Sequence, residues 1–174
     1  MAAALVTLLL VSWVGLAAAT GSGYAVDFGW AGAARHVSTA LPAALLSTLA
    51  HALTPFYFIG TGRAVREAVA EARLSGTWVG EAAALRGRCR TPAYSAIGMI
   101  MLTAILGGGA DTGALPDSVH GLMGVAALGV AGWASVVETI AMSRMMGLLF
   151  RLDDAVAQAE ATASSQAGAA AGVS

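Results

Sequence analysis

The sequence predicts an all-α integral membrane protein built as a four-transmembrane-helix bundle, and three observations carry that expectation. Of 174 residues, 57% are apolar and only 11% are charged, against about 45–50% and about 25% in an ordinary soluble domain. Four nearly uncharged apolar runs divide the chain, each close to the ~20 residues that cross about 30 Å of hydrocarbon. The arginines, finally, gather in one of the segments between those runs.

The first run, about residues 2–20, extends from Ala2 to Thr20 and is expected to end at Gly21-Ser22-Gly23. Ala17-Ala18-Ala19 resembles a signal-peptide cleavage site, but no positive charge precedes the apolar core, so a retained helix is expected. The second run covers residues 37–60, Val37 to Gly60. The third covers 92–109. Thr91-Pro92 reads as an N-cap followed by proline at the first helical position, and Gly107-Gly108-Gly109 reads as its stop. The fourth, 119–143, starts after Pro116-Asp117-Ser118 and stays apolar to Val137.

Charge sets the expected orientation. Arg63, Arg66, Arg73, Arg86, Arg88 and Arg90 lie between runs two and three, and Arg144 and Arg151 follow run four. The outer connections hold Arg35 with Asp27, Asp111 and Asp117. By the positive-inside rule the middle loop and both termini face the cytoplasm, N-in and C-in. That loop, 61–91, is not a floppy linker. Val65, Val69 and Ala72 fall on one helical face and Arg63 and Glu67 on another, four apart and able to pair. Run two should therefore project into the cytoplasm as helix until Ser75-Gly76, and a short interfacial helix from Thr77 to Leu85 should follow, anchored by Trp78. Residues 1–160 form one membrane domain. The stretch 161–174 is Ala, Ser, Gly and Thr with no periodic apolar face, which predicts a disordered tail.

Several function classes are excluded or left without support. A net charge of −1 with no basic patch leaves nothing for nucleic acid. Lysine and asparagine are absent, a bias of GC-rich genomes, and with the multi-pass plan it points to a bacterial inner membrane. Cys89 is alone, so neither an internal disulfide nor a cysteine metal cluster forms. Gly60-Thr61-Gly62 lacks the strand-turn-helix context of a phosphate loop, and Asp111 and Asp117 are too sparse for calcium. No catalytic set and no metal-ligand spacing are present.

Ionisable residues inside a bilayer are costly, so their positions are the main functional clue. His51 sits inside run two with Ser47 and Thr54 on the same face. Its plain role is an interhelical hydrogen bond, to a hydroxyl or to a carbonyl freed by Pro55. Glu138 lies near the inner end of run four. One reading is a carboxylate snorkelling to the interface near an arginine; the other is a buried acid sharing an inner-leaflet cavity with His51. Haem b ligation needs imidazoles from two helices at one depth. His36 and His120 both stand at the outer ends of their runs and suit that requirement, whereas His51 has only Met99 at its depth. Four spans with histidines near both faces resemble, in outline, the cytochrome b anchor subunits of respiratory complexes. The candidate haem ligands by depth are therefore His36, His51, His120 and Met99, and the resemblance is one of architecture, with no family motif around the histidines.

Ala127, Ala131 and Ser135 form a small-residue stripe on run four, suited to close helix packing. Few intramembrane polar residues and many small ones lead first to a small accessory or structural subunit of a larger membrane complex, partnered by lipid and by other membrane subunits or a second copy. A b-type haem-binding electron-transfer or quinone-site subunit is the alternative. A small transporter or channel is the third, although paired intramembrane charges and inverted repeats are missing.

Overall fold

The computed structural model describes residues 1–171. The chain forms four helices, α1 (Ala2–Asp27), α2 (Ala33–Glu71), α3 (Thr77–Asp111) and α4 (Asp117–Ala171), with no strand among the described residues. All four are long and apolar enough to cross a membrane, the make-up of a multi-pass integral membrane protein. Each helix packs on its neighbours in the order α1–α2–α3–α4 and back to α1, and α2 also meets α4 across the diagonal. Because α3 runs back between them, α2 and α4 are parallel to one another.

α1 and α3 run past the glycines expected to end them, for one physical reason. In hydrocarbon a backbone carbonyl or N–H has no water to bond, so helix is retained wherever the chain lies against lipid or protein. The glycines at 21–23 and 107–109 therefore do not end α1 and α3, which continue to Asp27 and Asp111. The stops come in the connections. The chain turns left-handed at Gly29 (φ 72°), Arg73 (φ 52°) and Gly113 (φ 71°). At each, an N–H from the next residue returns to a carbonyl five back: Trp30 to Ala25 at 2.8 Å, Leu74 to Val69 at 3.0 Å, Ala114 to Gly109 at 2.9 Å. This is the Schellman helix ending, which glycine suits because it has no Cβ. Arg73 makes it with a side chain in place.

Two expectations need correction here. No separate helix covers 77–85 and Thr91-Pro92 is not a helix start: α3 is continuous from Thr77, with Pro92 buried inside it. The apolar seam of the membrane part carries on beyond it, so the segment before Pro92 packs as helix. Val65 and Val69 of α2, Leu85 and Cys89 of α3, and Leu148 and Leu152 of α4 are buried together. The loop 61–91 is thus a helical hairpin against which α4 lies. Trp78 belongs to it, half-buried, with the Arg151 guanidinium 5.7 Å from its ring centre and bonded to Glu81 at 2.6 Å. Secondly, 161–171 is helical rather than a disordered tail, with 172–174 outside the described residues. Alanine's helix propensity supplies the reason, since it needs no packed face.

Where α3 and α4 pack closest, small residues lie inside, and many large apolar side chains face outward. Ala93, Ala96, Ala131 and Ala134 are fully buried on α3 and α4, whereas Leu45, Ile105 and Leu122 are more than 60% exposed. In lipid, large apolar side chains lose nothing by facing outward, and small ones let backbones approach.

Candidate functional site

Two polar levels lie along the α2–α4 diagonal, and parallel register explains both. Thr54 and Glu138 are 84 residues apart and in contact; His36 and His120, separated by the same 84 (120 less 36), face each other at the opposite end. Two parallel helices rising equally per residue repeat any contact at constant offset.

At the inner level, His51 and Glu138 are both fully buried. The His51 Nδ1–H donates to Glu138 Oε1 at 2.9 Å, and the Thr54 hydroxyl donates to Oε2 at 2.7 Å. Both carboxylate oxygens are thereby satisfied, which is how a buried carboxylate is tolerated. This corrects the snorkelling reading of Glu138, since no arginine lies within ion-pair distance of it among the described residues. The helical period made the difference: it aims Glu138 at α2 rather than at the interface. Ser47 Oγ, His51 Nε2 and Ser135 Oγ are buried without a hydrogen-bond partner. Met99 lies half-buried on α3, and no hydrogen bond joins it to His51; its carbonyl accepts from Thr103 Oγ1 at 2.8 Å.

At the outer level, the His36 and His120 rings stand 6.0 Å apart, centre to centre, with their planes at 68°. Each ring is held through Nδ1. For His36 the partner is Ser22 Oγ at 3.1 Å, itself 3.0 Å from Thr39 Oγ1. For His120 it is the Thr103 carbonyl at 3.2 Å. A carbonyl only accepts, so His120 donates from Nδ1–H. Glycines admit both rings. A Cβ at Gly23 would lie 3.1 Å from His36 Cε1, and one at Gly107 would lie 2.9 Å from His120 Cε1.

The two histidines line a cavity of about 480 Å³ that draws on all four helices, with Gly23, Ala44, Thr103 and Gly124 among its walls. Its size falls in the roughly 300–1,000 Å³ range of small-molecule sites. Asp27, Asp111 and Asp117 stand around its mouth. No group of three or more metal-ligating side chains is present among the described residues.

Sequence reasoning named His36, His51, His120 and Glu138 but missed the groups that hold His36 and His120. Ser22, sitting between two glycines, and Thr103, in mid-span, gave no periodic signal, because their roles depend on which neighbour they meet. Trp13 is a second omission. It donates from Nε1 to the Leu128 carbonyl at 3.2 Å, in a gap left by Gly132.

The bundle, with one buried and one part-buried polar level, defines a small multi-pass helical membrane protein with a walled cavity at one end. Comparison of the chain with protein-family models, curated proteins and solved structures finds no match.

Proposed function

We propose that the protein is a b-type haem-binding electron-transfer subunit of a bacterial inner membrane, with the haem held by His36 and His120. The observation that carries this reading is the spacing of the two rings. An imidazole nitrogen sits about 2 Å from a coordinated metal, and adding about 1.1 Å from nitrogen to ring centre on each side separates the centres by roughly 6 Å; they stand 6.0 Å apart.

Three further features support it. Both Nδ1 atoms are occupied by hydrogen-bond partners, the outer-shell contact that fixes ring orientation and raises ligand basicity in metal-binding histidines. Nε2 remains on each ring, with no hydrogen bond assigned to it. Glycine and alanine make up nearly half of the walls, on four helices, which leaves room for a flat macrocycle. When bound, haem supplies a one-electron carrier whose potential is set by its axial ligands and by the polarity around it. His36 and His120 would orient it.

The orientation is N-in and C-in. The 72–76 turn and the arginines beside it lie at the end shared by both termini, which the positive-inside rule assigns to the cytoplasm. The haem level then faces the outer leaflet. The accessory-subunit reading now ranks below this one, because paired, positioned histidines and a cavity are more than packing alone requires.

The test is a reduced-minus-oxidised visible spectrum of protein expressed with haem precursors and purified in mild detergent. A b-type band is expected. His36→Leu and His120→Leu should each abolish it, Gly107→Ala should weaken it by pushing His120 aside, and His51→Leu should leave it. A colourless protein, or a band indifferent to His36 and His120, refutes the proposal.

A further inference from the structure

Three polar atoms inside the bundle have no protein partner: Ser47 Oγ and His51 Nε2 on α2, and Ser135 Oγ on α4. Ser47 and His51 are fully buried and Ser135 is 7% exposed. An orphaned buried polar group is costly, and proteins meet such groups with internal water making about three hydrogen bonds.

Their position is informative. Ser47 stands one turn outward of His51, and Ser135 nearly one turn outward of Glu138. The outer cavity reaches down to Ala44 and Leu128, three residues above Ser47 and seven above Ser135, or about 4.5 and 10.5 Å along the helices. The orphaned atoms occupy the interval between that cavity floor and the His51–Glu138 couple. On the inner side the couple is closed by Tyr57, Phe58, Met142 and Met145, buried in one apolar cluster, with no orphaned polar atom among them.

We propose that these three atoms hold water continuing the outer cavity down to the His51–Glu138 couple, so that the couple binds a proton exchanged with the outer face and not with the inner one. A hydrated proton arriving from the cavity adds to the Nε2 lone pair. One N–H bond forms as one O–H bond of the water breaks, and the neutral water stays behind. The couple changes from carboxylate with neutral imidazole to carboxylate with imidazolium. This removes a net negative charge from the apolar interior, where a lone charge is expensive. Thr54, donating to the far carboxylate oxygen, keeps Glu138 in place in both states. The other titratable groups packed nearby are Cys89 on α3 and Tyr57 on α2, both buried. Between Ala2 and Gly23, α1 brings none. The inference does not require haem.

Only three histidines are present, so nitrogen-15 NMR of imidazole-labelled protein in detergent resolves them, with His51→Leu assigning one. The measurement is the rate at which the His51 ring N–H exchanges in deuterated water. Exchange is expected despite complete burial. The double variant Ser47→Ala, Ser135→Ala should slow it at least tenfold, and Ala127→Phe, which plugs the cavity floor, should do the same. Both serines lack partners, so the double variant keeps every assigned hydrogen bond and stands as the decisive arm if the plug prevents folding. Exchange as slow as that of the adjacent α4 backbone amides overturns the proposal, as does a rate that the serine variants leave unchanged.

Discussion

Replacing Glu138 by leucine removes the acceptor for two buried donors, His51 Nδ1–H and the Thr54 hydroxyl, at 2.9 and 2.7 Å. Side-chain hydrogen bonds inside membrane bundles average about 0.6 kcal/mol, because the unfolded chain also finds partners in lipid; two of them set a lower bound of about 1.2 kcal/mol. Removing one member of a fully buried pair costs about 3–5 kcal/mol in soluble proteins, which sets the upper bound. The cost arises mainly from the partners left behind. His51→Leu alone should therefore be destabilising as well, while the double variant His51→Leu, Glu138→Leu should lose far less than the sum of the two. Apolar replacement of a whole buried pair is often neutral or stabilising by about 1–4 kcal/mol. The assay is reversible unfolding in mixed micelles for wild type, both single variants and the double variant, read as a double-mutant cycle. Additive losses, or single losses below about 0.5 kcal/mol, would refute the assignment of Glu138 as the anchor of the α2–α4 diagonal.

Other outcomes follow from local features. Arg73 holds a left-handed conformation at φ 52°, which costs a residue with a Cβ about 1–2 kcal/mol. Arg73→Gly should therefore raise the unfolding free energy by a net ~0.5–1 kcal/mol in the same unfolding assay, and destabilisation would count against a left-handed turn there. Orientation is open to cysteine labelling in a Cys89→Ala background. Ser75→Cys should react with an impermeant maleimide only from the cytoplasmic side and Thr112→Cys only from the outside, the reverse pattern inverting the topology. Both positions are exposed, in the connections.

The legibility of the fold depended on length. The four apolar runs required no partner to be recognised, because crossing hydrocarbon imposes both a minimum length and a charge limit on each. Helix ends were less legible, since glycines at 21–23 and 107–109, and proline at 92, punctuate a chain in water but not one whose backbone must stay bonded in lipid. The expected interfacial helix at 77–85 merged with the third span because the buried apolar seam shared with α2 and α4 continues through it. For the site, Ser47, His51 and Thr54 share a face by helical period, and the register between α2 and α4 then decided what they meet. No local pattern encodes an offset of 84 residues. Ser22, Thr103, Gly23 and Gly107 acquire meaning only from the imidazole each one touches.

By itself, then, the sequence determined a four-helix membrane chain, a cluster of arginine near one connection, and a short list of ionisable residues within or beside the apolar runs. These follow from composition and from periodicity within one segment. Only the tertiary structure decided that Glu138 turns inward to His51 rather than outward to the interface, that two histidines far apart in the chain stand 6.0 Å apart, and that a cavity lies beneath them. Those outcomes depend on which helices are parallel and neighbouring, and long-range packing sets that, not any single helix.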